Sequence, residues 1–379
     1  VLANARKNAI LMSAAWFQVD NADQIESPAL LIYPDRVDEN IRRMLALAGN
    51  PDRIRPHVKT HKMSQIVAAQ LAAGIQQFKC ATLAEAQMTA ACGAPDVLWA
   101  YQPVGPNLQR LQDLVSRFPA TRFSVLVDNK DSLSQLERAN ICVGVFIDVD
   151  CGMHRTGVEP GPQAVALYRA VAKSRSLTVI GLHAYDGHVK EQDPTRRAEM
   201  VEASFAPVNA LRRQLAASGL PPPQLLAGGS PTLAIHARHG DRQVSPGTTI
   251  FWDAAYRTKF PDLDFQNAAM VLTRVISKPR LDVLCLDLGY KAVAADHADP
   301  RVVFPELPDA KTLVHSEEHL AIQTEQAERF RVGNCLYGIP WHVCPTVAMY
   351  PEAIVVRDHR ACQRWPVAAR DRWIDVPRG

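Results

Sequence analysis

A chain of 379 residues, 47% apolar and 21% charged, has the composition of a soluble enzyme and the length of one large domain plus a smaller one. Its 42 basic and 39 acidic residues leave a net charge of only +3, with no basic block of the kind that grips nucleic acid, so a small-molecule partner is expected. No apolar run approaches the ~20 residues that span a bilayer, and eight scattered cysteines without a CxxC pair point to a reducing, cytoplasmic setting.

In chain order, "NAILMSAAWF" (8–17) is briefly apolar but lacks the full set of signal-peptide features, and is expected to belong to the fold. "SPALLIY" (27–33) reads as a strand, followed by the helical "PDRVDENIRRMLALAG". From about residue 53 to 250, eight strand candidates alternate with amphipathic segments: "RIRPHVK", "QFKCA", "DVLWAY", "FSVLVD", "VGVFIDVD", "VIGLHAY", "QLLAGGS" and "RQVSPGT". Regular βα alternation with eight strands predicts a closed (β/α)8 barrel. After about 250 helical periodicity fades, and runs such as "AAMVLTRVIS", "LDVLCLDLGY" and "EAIVVRD" predict a mostly β second domain. "SPALLIY", a ninth candidate and one too many for the barrel, could belong there.

Catalytic groups of such a barrel sit at the C-terminal strand ends. Period-two alternation in "RIRPHVK" would put Arg55, His57 and Lys59 on one face, and Pro56 and Val58 on the other. A buried ammonium is costly unless paired, so an inward Lys59 suggests a Schiff base; a lysine solvated at the rim is the alternative. Lys62, past the strand end, is expected in solvent. "AGGSPT" (227–232), which alone could be a plain turn, and "SPGTT" (245–249) together supply backbone N–H groups at strand ends, suited to a phosphate. In "WHVCPT" (341–346), His342 and Cys344 would leave one face of an extended strand as a pair of soft metal ligands, an open site to be completed by water and substrate; a strand histidine beside a buried cysteine is the commoner alternative. His61, His183, His188 and Asp186 are further acid/base candidates, read as residues of a polar rim.

With Lys59 in "RPHVKTHK", Arg155 in "GMHRTGV", Tyr185 in "GLHAYDGH", the glycine turn and "HVCPT" in this order, the sequence resembles the D-threonine aldolase and D-serine dehydratase family, fold-type III pyridoxal-phosphate enzymes related to alanine racemase. The resemblance implies a cofactor-binding α/β barrel over 35–250 and a β-rich domain over 251–379, joined by 1–34 and carrying the metal pair, in a head-to-tail homodimer. It implies that Lys59 forms the internal aldimine, that Arg155 lies near the cofactor's phenolic oxygen, and that Tyr185 contacts the cofactor. Gly229, Ser230, Gly247 and Thr248 would hold the phosphate, with Tyr256 in "FWDAAY" as a further contact, and His342 and Cys344 would hold a metal beside the substrate's β-hydroxyl.

One position divides the family: aldolases carry aspartate in the slot of Cys344, dehydratases cysteine. "GLHAYDGHVK", "CLDLGYKAV" and "PTVAMY" look closer to the aldolases. The expected activity is therefore a metal-dependent lyase of D-3-hydroxy amino acids, retro-aldol cleavage to glycine and an aldehyde being placed ahead of dehydration to a 2-oxo acid and ammonia. A racemase would leave the His342/Cys344 pair without a role, and a non-catalytic cofactor carrier would lack a second domain. A thiolate ligand favours zinc, where a carboxylate would suit manganese or magnesium.

Overall fold

A computed structural model describes residues 14–374 of the protein. Of "NAILMSAAWF", residues 8–13 lie outside the described residues, while Ala14–Phe17 form a 3-10 turn with Phe17 buried. The chain divides into two units. Among the described residues, one contains 14–40, Ile250–Pro261 and Phe265–Arg370; the other contains Ile41–Thr249, Asp262–Asp264 and 371–374. Strand β1 (Ala29–Ile32) and helix α1 (Pro34–Ala48) come first in the chain, and the division falls inside α1.

The second of these units repeats strand and helix: α2 (Ser64–Ala72), β2 (Gln77–Cys80), α3 (Leu83–Ala91), β3 (Asp96–Trp99), α4 (Asn107–Arg117), β4 (Arg122–Val127), α5 (Lys130–Arg138), β5 (Val143–Asp148), α6 (Pro162–Lys173), β6 (Leu177–Ala184), α7 (Pro194–Ala217), β7 (Gln224–Ala227), α8 (Leu233–Ala237) and β8 (Arg242–Val244). Local chemistry sets the helix starts. Thr82, Asn129 and Asp193 each accept a backbone N–H of the first turn that follows, at 3.1, 2.8 and 2.9 Å. Strands β2 to β8 pair in sequence order, all parallel, and are buried nearly throughout because helices cover one face and the barrel interior the other. Leu98, Leu126, Phe146 and Leu226 fill that interior.

Seven of the eight expected strands are present; "RIRPHVK" is not a regular one. Ile54–His57 instead closes the ring by isolated parallel bridges, Ile54 to Val244 and His57 to Lys79. Arg55 N and His57 N donate to Val244 O and Pro246 O at 2.9 and 2.7 Å, and Lys79 N donates to Pro56 O at 2.9 Å. Pro56 has no N–H to give, so a ladder cannot run through it, and the chain turns at once into a 3-10 turn, Val58–Thr60. The expected alternation fails for the same reason. Arg55 lies among strand starts, donating to Phe78 O (3.3 Å), Asp96 Oδ1 (2.6 Å), Gln77 Oε1 (2.6 Å) and Gln243 Oε1 (2.9 Å), while Lys59 is carried on the turn.

Lys62 also departs from expectation. Its backbone is left-handed (φ 56°), and its ammonium pairs with the fully buried carboxylate of Glu85, which also accepts Ala81 N at 2.6 Å. Removing one partner of a buried pair leaves the other charge uncompensated, so Lys62→Met is expected to cost about 3 kcal/mol, read as a lowered urea midpoint. An unchanged midpoint would show the pair to be dispensable.

The other unit is mostly β. After the short helix α9 (Ala254–Lys259) come β9 (Ala269–Arg280), β10 (Val283–Leu286), β11 (Val302–Val303), β12 (Lys311–His315), β13 (Leu320–Gln323), β14 (Cys335–Pro340), helix α10 (Val343–Met349), β15 (Glu352–Arg357) and β16 (Arg360–Pro366). The sheet runs β12-β13-β10-β9-β1-β15-β16, with β14 on β9 and β11 on β14. Strand β1 is antiparallel to β9 and parallel to β15, so "SPALLIY" packs in this unit, where Leu31 and Tyr33 join Phe17, Met270, Leu272 and Tyr337 in one core. Among the described residues no helix is long and apolar enough to cross a membrane.

Candidate active site

At the C-terminal ends of the barrel strands three cations converge on one aromatic ring. Lys59 Nζ lies 5.8 Å, Lys79 Nζ 5.7 Å and the Arg155 guanidinium carbon 5.3 Å from the centre of the Tyr185 ring. Each arrives on a different element: Lys59 on the turn after Pro56, Lys79 on β2, Arg155 in the loop after β5 and Tyr185 directly after β6. The Arg155 loop is pinned where it leaves the strand. Asp150 Oδ1 accepts Gly152 N (2.9 Å) and His154 N (3.0 Å), and Asp128 Oδ2 accepts Gly157 N (3.0 Å).

Beside the cations, Asp148 ends β5 and accepts His183 Nδ1 at 2.7 Å and Gln102 Nε2 at 3.1 Å. Burial opposes its charge, but the His183 hydrogen bond holds this carboxyl below the usual range. His183 Nε2 is buried with no partner among the described residues. Burial and the charge of Lys79 push His183 down, while burial and the charge of Lys59 push His57 well down. Burial drives His61 to about 3, so this residue is a neutral ring in the core and not an acid/base group at neutral pH.

The glycine turn forms the next wall. Gly247 N and Thr248 N both donate to Ser230 Oγ, at 3.1 and 3.0 Å, so two amides and a hydroxyl are gathered in one buried place. Gly228 has φ +71°, and a Cβ there would stand 2.3 Å from His236, which excludes a side chain. Asp186 fixes this turn: it accepts Thr232 Oγ1 (3.0 Å) and His236 Nε2 (2.8 Å), and Thr232 Oγ1 accepts Gly229 N (3.2 Å). Asp186 is thus engaged in structure, and His188 meets Ser204 at 3.2 Å.

These residues fit pyridoxal phosphate. Amide and hydroxyl donors suit a phosphate, an amine is present for the aldehyde, and Tyr185 offers a ring face between cations. Lys59, Arg155, Tyr185, Gly229, Ser230, Gly247 and Thr248 all belong to the barrel unit. Tyr256 does not. It lies on α9 in the other unit, where its ring packs on Trp252 and Phe260 at 5.3 and 5.5 Å. Lys79 was not foreseen; the signal was a lone lysine between the apolar Phe78 and Cys80 of "QFKCA".

In the β unit, "WHVCPT" is not extended. His342 precedes α10 as its N-cap and Cys344 lies in the first turn, where Pro345 is tolerated because the N–H groups of that turn have no helical acceptor. The two side chains still meet, through a hydrogen bond. Asp296 Oδ2 accepts His342 Nδ1 at 2.6 Å, and the His297 ring stands 5.3 Å from that of His342. Ligand atoms of Asp296, His297 and His342 lie within 4.8 Å of one another. The loop carrying Asp296 is tied to α10 by Ala294 N, which donates to Thr346 Oγ1 at 3.1 Å. Burial would lower the His342 pKa, but Cys344 and Asp296 outweigh it and push the ring up to about 9. The imidazole of His342 and the thiol of Cys344 are donors suited to a zinc-like divalent ion, with Asp296 orienting the imidazole.

Residues 32–255 match the family model "Alanine racemase, N-terminal domain", and residues 268–356 match "Putative serine dehydratase domain". A D-threonine aldolase from Arthrobacter sp. is 30% identical over 93% of this chain and 94% of its own. The crystal structure of D-threonine aldolase from Filomicrobium marinum superposes with a TM-score of 0.86 at 28% identity, covering 94% of this chain and 98% of that one. The D-threo-3-hydroxyaspartate dehydratase of Delftia sp. HT23 gives 0.78 at 26% identity, covering 90% and 97%, and a cysteine-to-alanine variant of the dehydratase of this name has been solved in a metal-free form. A barrel mouth fitted to pyridoxal phosphate and a likeness that runs the length of both chains lead to one conclusion: the protein belongs to the D-threonine aldolase and D-serine dehydratase family of alanine racemase-like, pyridoxal-phosphate-dependent lyases.

Proposed function

We propose that the protein is a pyridoxal-phosphate- and divalent-metal-dependent lyase of D-3-hydroxy amino acids, cleaving them as an aldolase to glycine and an aldehyde. The observation that carries the reading is the gathering of Lys59, Arg155 and Tyr185 beside the Ser230, Gly247 and Thr248 donors in a chain with full-length likeness to a D-threonine aldolase. Pyridoxal phosphate, when bound, would supply an electron sink for the bond broken at the substrate's α-carbon. Lys59 supplies the amine that carries it and moves a proton at that carbon. Arg155 keeps a cation beside Tyr185, and Ser230, Gly247 and Thr248 hold the phosphate. A divalent ion on His342 and Cys344 would supply a Lewis acid for the substrate hydroxyl. Asp296 orients His342 for that task.

Dehydration is the second reading, favoured by the thiol of Cys344 and by the likeness to a dehydratase. Incubating the protein with pyridoxal phosphate, Zn²⁺ or Mn²⁺, and D-threonine is expected to yield acetaldehyde and glycine. 2-Oxobutanoate with ammonia would establish the dehydratase instead, and no product from any D-3-hydroxy amino acid would remove both.

A further inference from the structure

Lys79 takes no part in the proposed cofactor and metal chemistry, although it is only 5% exposed. Its backbone is fixed in the ring, since its N–H donates to Pro56 O at 2.9 Å and β2 pairs it with Leu98 on β3. Its ammonium points toward Tyr185 and makes no hydrogen bond or ion pair with any described residue. The acid nearest in the balance, Asp148, already accepts from His183 and Gln102. Three cations therefore surround one ring against one committed carboxylate.

Buried ammonium groups are normally paired, and the cost of leaving this one unpaired shows in the amine itself. Burial first, and the charge of Lys59 second, bring its pKa down to about 7. Such a group takes up its proton fully when an anion arrives and gives it back when the anion leaves. If Lys59 attaches the cofactor and Arg155 faces the phenolic oxygen, the cation left over must meet the remaining anion of the reaction. Every amino-acid substrate brings a carboxylate.

We propose that Lys79 is the receptor for a carboxylate of the substrate. This rests on the barrel mouth being the cofactor site, and the test separates the two ideas. Holoenzyme loaded with pyridoxal phosphate is titrated, through changes in its visible band, with three amines, none of them a 3-hydroxy amino acid: D-alanine, its reduced analogue D-alaninol, and D-aspartate. Lys79→Met is expected to keep the band but to weaken D-alanine by roughly 10- to 100-fold while changing D-alaninol little, as loss of a charged hydrogen bond requires. Lys79→Arg is expected to recover part of the loss. If D-alanine is unaffected and D-aspartate alone weakens, the carboxylate received is that of the side chain. Equal weakening of D-alaninol and D-alanine, no weakening of either acid, or loss of the band in Lys79→Met would overturn the proposal. Absence of a band in the wild-type protein would instead refute the cofactor site, and this inference with it.

Discussion

Lys59→Ala is expected to abolish the visible cofactor band and to lower turnover of D-3-hydroxy amino acids on the order of 10⁴-fold or more. The physical reason is that, in the proposed chemistry, attachment and proton transfer depend on the same amine. A complication is built into the site, because Lys79 Nζ lies as close to the Tyr185 ring as Lys59 Nζ does, 5.7 against 5.8 Å. Trapping the attached cofactor with borohydride and mapping the labelled peptide decides between them. Label on Lys59 in the wild type and its loss in the variant support the assignment; label on Lys79 in the wild type would reverse the two roles.

Cys344→Ala and His342→Ala are expected to leave the cofactor band intact while bound metal falls from near stoichiometric to near zero and turnover drops by two or more orders of magnitude. Asp296→Asn is the gentler test, since a residue that orients a ligand commonly changes metal affinity by about 10- to 100-fold. Metal content by elemental analysis, followed by titration of Zn²⁺ and Mn²⁺ into stripped protein, reads both effects. Variants that keep their metal and their activity would remove the proposed centre.

The barrel was legible because parallel strands covered on both faces are written as short apolar runs, and seven of these runs fall where the sheet has them. Family membership was legible because "RPHVKTHK", "GMHRTGV" and "HVCPT" keep their order along the chain. What sequence reading missed lies where proline or a helix start overrides alternation. Pro56 ends the first run and sends Lys59 onto a turn away from Arg55, and the helix that begins at Val343 brings His342 and Cys344 together by a route other than a shared strand face. The partners of Asp296 and Lys79 were not legible for another reason. Their meaning lies in neighbours distant along the chain, 46 residues away for His342 and Asp296, and no local pattern records such a meeting.

The ring closure at Pro56 has a mechanical consequence. Elsewhere the barrel is knitted by continuous ladders, and a shift of one strand would drag its neighbours out of register. The segment before Lys59 is stitched by a few separate hydrogen bonds, so it can give way locally while β2 and β8 stay where they are. A join of the barrel made without a ladder thus adjoins the residue whose amine is proposed to alternate between holding a cofactor and releasing it.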